Sequence, residues 1–290
     1  MNVVITLPAY NEEKDIGNVL KEIKQVMNST DYKYKLLVVD DGSKDDTAKI
    51  AKENGAIVVS NPRNLGLAET FKREMEECIK LKADIVVHTD ADGQYPAHYI
   101  IELIKKIEQG YDLVLGARFG NGNYQGSLMK KIGNIAFARV FSGLLRTKLT
   151  DTTTGFRAFT REVVKLPLIN TFTYTQEQLI RAGKAKMKVA EIPISTRKTR
   201  ESRLFKNSFD YAIKAWINLF RIYRDFEPLK FFGVFGSIFI LMGILCSMFL
   251  AYTFIATGRV GHIPLTIVTA LLYIVGVQII LFGFLADMKK

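Results

Sequence analysis

At 290 residues, 48% hydrophobic and with a formal net charge of +11, the chain is long enough for one large domain or two small ones. Its two cysteines, Cys78 on an expected helix and Cys246 in a long apolar run, exclude a disulfide framework or a zinc-ligand spacing. The charge is uneven: residues 1–180 hold 24 Lys+Arg against 23 Asp+Glu, whereas residues 181–230 hold 13 against 5.

In chain order, Val3 to Leu7 reads as a short strand, broken by Pro8-Ala9-Tyr10-Asn11-Glu12 before a helix running to about Met27. No signal peptide is expected before Met1, because the chain opens directly on this strand. Tyr34 to Asp40 is a second strand, followed by a helix with Asp45 or Asp46 near its cap. Ala56 to Ser60 is a third, and after Asn61-Pro62-Arg63-Asn64-Leu65-Gly66 comes an amphipathic helix from Leu67 to about Lys80. Ile85 to Thr89 is a fourth strand, and Leu113 to Gly116 a fifth, after a helix around Ile100 to Gln109. Strands alternating with helices at this spacing predict a doubly wound parallel α/β sheet with right-handed crossovers.

Such sheets take ligands off the C-terminal ends of their strands. Tyr10, Asn11 and Glu12 follow the first strand, Asp40 and Asp41 the second, Arg63 the third, and Asp90, Asp92 and Gln94 the fourth. Four polar clusters on one edge exceed what turn chemistry alone supplies. Thr89-Asp90-Ala91-Asp92-Gly93-Gln94-Tyr95-Pro96 admits two readings. Its carboxylates suit a magnesium or manganese ion completed by substrate phosphates; alternatively, Asp90 caps the next helix and Asp92-Gly93 is a plain turn. Neither GxGxxG nor GxxxxGK[ST] occurs, so a nucleotide, if bound, is held by carboxylates and a metal.

Taken together, PAYNE, VVDDGSKDDT, NPRNLG and TDADGQYP resemble the family-2 glycosyltransferases. More narrowly, GAR at 116–118, DTTTGFRAF at 151–159, and EIPI at 191–194 followed by RESRL resemble the polyprenyl-phosphate sugar synthases typified by dolichol-phosphate mannose synthase. The resemblance covers about residues 1–205. It implies a GT-A-type, Rossmann-like, mostly parallel sheet with flanking helices. It also implies that Asp40 and Asp41 hold the base and ribose of a nucleotide sugar, with Pro8, Tyr10, Glu12 and Arg63 in the same pocket. Asp90, Asp92 and Gln94 would hold a divalent metal (Mg or Mn) and the diphosphate.

The acceptor is expected in the second half of this domain. Arg118, Lys130, Lys131, Arg200, Ser202 and Arg203 supply the cations and hydroxyl that a dianionic phosphate requires. Family members often carry Arg where Lys130 or Lys131 stands, and Gly where Arg200 stands. A lipid monophosphate is largely ionised at neutral pH, so it needs orienting more than deprotonating. Direct inverting displacement at the anomeric carbon follows, with Asp92, Arg118 and Asp151 as the catalytic set and Glu177 orienting sugar hydroxyls. Read structurally, Asp151 caps a turn and Glu177 sits on a helix face.

From Asn207 to Phe226 polar and apolar residues alternate at helical spacing, which predicts an amphipathic helix in the membrane interface. Phe231 to Tyr252 and Ile263 to Leu285 contain no Asp, Glu, Lys or Arg and are long enough to cross a bilayer. The expected organisation is a catalytic domain over 1–205, an interface helix over 206–228 and a transmembrane hairpin over 229–290. The basic surplus before the spans, with Lys289 and Lys290 after them, places the catalytic domain and both termini in the cytoplasm of a multi-pass cell-membrane protein.

The expected partners are a nucleotide sugar, a polyprenyl phosphate and the membrane, without nucleic acid and with oligomers possible. GDP-mannose, UDP-hexose and UDP-GlcNAc remain open as donors, and dolichyl or undecaprenyl phosphate as acceptor. Two other readings compete: a processive polysaccharide synthase, which would carry QxxRW where this chain has Trp216 in KAWINLF, and a degenerate lipid-binding or flipping module. Intact carboxylates oppose the latter.

Overall fold

The structure, a computed structural model, describes residues 1–118, 147–168, 174–197, 227–259 and 263–288, together with 138, 142, 217, 220, 221 and 223–225. The chain divides into two compact units, 1–204 and 205–290.

In the first unit the apolar runs become strands; Ile85–His88 and Leu113–Ala117 are buried on both faces, as strands covered on either side must be, whereas the edge strand Ile57–Ser60 is half-exposed. They are β1 (Asn2–Ala9), β2 (Lys33–Asp40), β3 (Ile57–Ser60), β4 (Ile85–His88), β5 (Leu113–Ala117), β6 (Arg157–Thr160) and β7 (Val189–Pro193). They form one sheet in the order β3-β2-β1-β4-β6-β5-β7. All neighbours pair in parallel except β6, which runs antiparallel to both β4 and β5. The sheet is therefore mostly parallel, not wholly so. The departure falls within DTTTGFRAF, where four residues are too few to show the alternation that marks a strand.

Helices α1 (Ile16–Met27), α2 (Thr47–Glu53), α3 (Leu67–Lys80) and α4 (Tyr99–Glu108) link the first five strands, and α5 (Arg161–Val164) and α6 (Tyr174–Lys184) follow β6. Each long helix buries one stripe. On α1 that stripe is Ile16, Val19, Leu20, Ile23 and Met27, spaced three and four apart, and on α4 it is Ile100, Leu103, Ile104 and Ile107.

Register fixes what reaches the sheet edge. Ala9 lies beside Asp40, Asp40 beside Ser60, and Thr6 beside His88. His88 of β4 and Leu115 of β5 both face Arg157 of β6. The residues leaving β1 to β5, and the loop entering β6, thus share one edge.

In the second unit α7 (Pro228–Thr257) and α8 (Ile263–Met288) are long and apolar enough to cross a membrane and bury little of their surface. They pack closely because glycines face one another. A Cβ on Gly236 would sit 2.6 Å from the Gly276 carbonyl oxygen, and one on Gly276 would sit 2.9 Å from the Gly236 carbonyl oxygen. Seven residues further along each helix, Gly243 meets the Tyr273 ring and Gly283 meets Phe232. Small residues at such crossings let backbones touch, which is how helices associate in lipid.

Candidate active site

The loops after β1, β2 and β3 are sewn into one surface. The Asn11 backbone N–H donates to Ser43 Oγ (2.9 Å), Lys44 N–H to Asn11 Oδ1 (2.9 Å), and Glu12 N–H to Thr47 Oγ1 (2.7 Å). Asn11 reaches this position with φ +54, in the left-handed region that Asn tolerates. Asp41 fastens the third loop: its carboxylate accepts from Asn61 Nδ2, Leu65 N–H and Gly66 N–H, each at 2.9 Å. Gly42, at φ +70, lies so close to Arg63 that a Cβ would meet its carbonyl carbon at 2.6 Å. The result is a groove of about 750 Å³. Tyr10, Asp40, Ser43, Lys44, Asn61 and Arg63 are among the residues that line it.

Asp40 is buried and accepts from Ser43 N–H (3.1 Å). Of the expected nucleotide residues, Tyr10, Asp40 and Arg63 therefore share this groove, whereas the oxygens of Asp41 are engaged by the loop behind it. Pro8 lies one residue before the end of β1, beside Val39, and Glu12 is buried at the entry to α1. Ser43, Lys44 and Asn61 were not singled out from the sequence, although they sit inside the motifs that were.

At the centre of the edge, Asp90 keeps only partial solvent access, and its carboxylate oxygen lies against Gly155, where a Cβ would come within 3.2 Å. Burial is the main cause that pushes the Asp90 carboxyl up to about 6; Asp92 pushes the same way, while His88 and Arg118 oppose it. Asp92 accepts from Gln94 N–H (3.0 Å), closing a turn whose glycine, Gly93, has φ +73. Asp90 caps no helix: α4 begins nine residues later behind His98. Two carboxylates one residue apart, with one held against its own ionisation, form a site short of positive charge.

Beyond β5 lies a cation. Arg118 donates from Nε to Asp151 Oδ2 (2.7 Å), from Nη2 to Asp151 Oδ1 (3.1 Å) and to Thr153 Oγ1 (2.8 Å), and its backbone N–H also reaches Asp151. Asp151 is fully buried, and one of its oxygens accepts from Thr153 N–H (3.1 Å). Burial works against the charge on Arg118, but Tyr95 and Asp151 outweigh it and raise the guanidinium pKa. Such a fork-to-fork pair fixes the plane of the guanidinium. Tyr95 stacks on Phe156 (5.0 Å, 11°), joining the carboxylate turn to the same 151–156 loop.

A clamp that the sequence did not suggest ties this turn to the chain leaving β7. Arg197 N–H donates to the Gln94 carbonyl (2.9 Å), and its guanidinium holds both oxygens of Glu22 (2.7 and 2.9 Å). Glu22 also accepts from Ala97 N–H (3.1 Å). Glu177 lies buried on α6 and accepts from Arg181 (2.8 Å). Lys130, Lys131, Arg200, Ser202 and Arg203 fall outside the described residues, as does most of the expected interface helix.

Fold and edge together define an α/β protein with a ligand site at the C-terminal ends of its parallel strands. Residues 4–166 match the family described as glycosyl transferase family 2, and the chain belongs to that family. It is 36% identical over 200 residues to a dolichyl-phosphate hexose transferase of Haloferax volcanii, covering 68% of this chain and 83% of that protein. It is 32% identical over 219 residues to a UDP-N-acetylglucosamine–dolichyl-phosphate N-acetylglucosaminyltransferase of Methanococcus voltae, covering 67% and 85%. Among solved structures it resembles glucosyl-3-phosphoglycerate synthase of Mycobacterium tuberculosis, crystallised with Mn2+ and UDP, with a TM-score of 0.57, 23% identity, and coverage of 77% and 78% of the two chains. The GT-A-type fold and the glycosyltransferase class expected from the sequence are borne out.

Proposed function

We propose that this enzyme transfers one sugar from a nucleotide sugar to the phosphate of a polyprenyl phosphate, with inversion. The observation that supports this best is the contact between Asp90 and Gly155, which sets the acidic turn directly against the loop carrying Asp151 and its partner Arg118. A donor diphosphate and an acceptor phosphate can therefore meet at one edge.

In this reading the groove at Tyr10, Asp40 and Arg63 takes the nucleoside, and Asp41 keeps its third wall in place. Asp90, Asp92 and the Gln94 amide are the residues that would hold a divalent cation, Mg2+ or Mn2+, which neutralises charge on a leaving diphosphate. Among the described residues no three acidic, His or Cys side chains gather into a ready-made cage, so substrate oxygens would complete the shell. Arg118 presents an oriented cation to the acceptor phosphate, and Lys130, Lys131, Arg200, Ser202 and Arg203 are proposed to complete that site. A phosphate oxygen forms the new bond to the anomeric carbon as the bond to the nucleoside diphosphate breaks. Glu177 is proposed to orient the sugar. Helices α7 and α8 would cross the membrane, tethering the catalytic unit on its cytoplasmic side, where the lipid phosphate is presented.

The test is transfer from radiolabelled GDP-mannose, UDP-glucose and UDP-GlcNAc to a polyprenyl phosphate in liposomes, with and without manganese. Labelled lipid from one donor, lost on adding a chelator, is expected; label appearing in polymer instead would overturn the single-transfer reading.

A further inference from the structure

Gln278 lies on α8 ten residues before Met288, about 15 Å along the helix, which is near the middle of a hydrocarbon layer about 30 Å thick. Its side chain is exposed and makes no hydrogen bond with any described residue. Other polar groups on this helix are accommodated: Thr269 donates to the Leu265 carbonyl (2.7 Å), and the Tyr273 hydroxyl bonds Ser247 of α7 (3.1 Å). Gln278 follows Gly276 by two residues, which turns it about 200° away from the face packed on α7. An unsatisfied primary amide in hydrocarbon is costly, so it calls for a partner beyond the described residues.

The surroundings say which partner. Ile267, Leu271, Ile274, Gln278, Leu281 and Leu285 recur at alternating spacings of four and three, and all are exposed. They trace a heptad line, one of several on a helix that is apolar on nearly every side, and this line carries a polar residue at a core position, where such residues fix register and strand number. A carboxamide both donates and accepts. Two copies inserted the same way place it at the same depth, so each can donate to the other about a two-fold axis along the membrane normal. We infer that α8 is the interface of a parallel homodimer, closed in the membrane by a reciprocal Gln278–Gln278 hydrogen bond.

This rests on α7 and α8 being membrane spans. The test uses the full chain with Cys78→Ala and Cys246→Ala, reconstituted in liposomes and oxidised across a series of lipid dilutions. Ile274→Cys and Leu281→Cys should cross-link into dimers, whereas Leu272→Cys and Ile279→Cys, off the seam, should not. Without added cysteines, energy transfer between labelled copies should show dimers that Gln278→Leu weakens by about three- to thirty-fold, the span that interhelical side-chain hydrogen bonds give. Gln278→Asn should restore most of the association. Sugar transfer persisting in every variant would show that the fold is intact. Protein that withstands alkaline extraction from membranes yet stays monomeric, or dimers indifferent to Gln278→Leu, would overturn the interface alone. Release by alkaline extraction would overturn the span assignment and the interface together.

Discussion

Asp90 is held against its own ionisation, and that has opposite consequences for fold and function. Its folded pKa of about 6 lies above the ordinary aspartate value of 3.8, so stability falls as pH rises from about 4 to about 6 and remains lower above that. That difference corresponds to about 3 kcal/mol at most. Metal-free Asp90→Asn should therefore melt higher than the parent at pH 7.5 by a few degrees and no higher at pH 4, while losing transfer. An unchanged melting temperature at pH 7.5 would contradict this account of Asp90. Asp151 behaves differently, because it is the buried partner of a cation. Asp151→Asn should cost about 3 kcal/mol or more in stability and raise the acceptor KM well above any change in the donor KM. Equal changes in both constants would assign the pair to the donor side.

Among the elements, the acidic turn depends on a clamp from α1. The Glu22–Arg197 pair is partly exposed, with side-chain exposures of 32% and 51%, so its removal should change stability by less than about 1 kcal/mol. It nevertheless orients the Glu22 carboxylate that accepts from Ala97 N–H just after Tyr95-Pro96, while the Arg197 backbone N–H holds the Gln94 carbonyl just before them. Arg197→Ala should raise the manganese concentration for half-maximal transfer several-fold at nearly constant melting temperature; an unaltered metal requirement would reduce the clamp to surface decoration. Nothing local announced this clamp: Glu22 and Arg197 lie 175 residues apart, and each reads alone as a solvated charge. By contrast, β1 to β5 and their helices were legible because apolar runs, turn residues and helical stripes are local signals. Strand β6 was not, since a four-residue strand owes its existence to the two strands it joins. The edge carboxylates could be located from the sequence, but the engagement of Asp41 in the third loop could not, because it depends on where residues 61–66 return.

For the whole molecule, the two units make separable demands. The first holds its own core across both faces of the sheet, while the helical hairpin of the second exposes mostly apolar side chains. A chain ending at residue 204 should remain folded and bind nucleotide, yet lose most transfer to long polyprenyl phosphate in liposomes. Transfer to a short-chain, water-soluble prenyl phosphate should survive better. Full activity on the long lipid would show that the hairpin contributes nothing to acceptor use.

The antiparallel insertion of β6 also sets an order of events during synthesis. After about 118 residues have emerged, β3, β2, β1 and β4 can already pair, but β5 has no neighbour in that sheet until residues 157–160 arrive. Until then β4, four residues buried in the finished protein, presents a bare hydrogen-bonding rim, the kind of edge that recruits other chains. Docking of β6 is the non-local, slower step, and it brings Gly155 and Asp151 to Asp90 and Arg118 at the same moment. In pulsed hydrogen exchange during refolding, amides of β1 and β2 should gain protection before those of β5 and β6. Catalytic competence should appear with the later phase, because Asp151 reaches Arg118 and the acidic turn only when β6 docks.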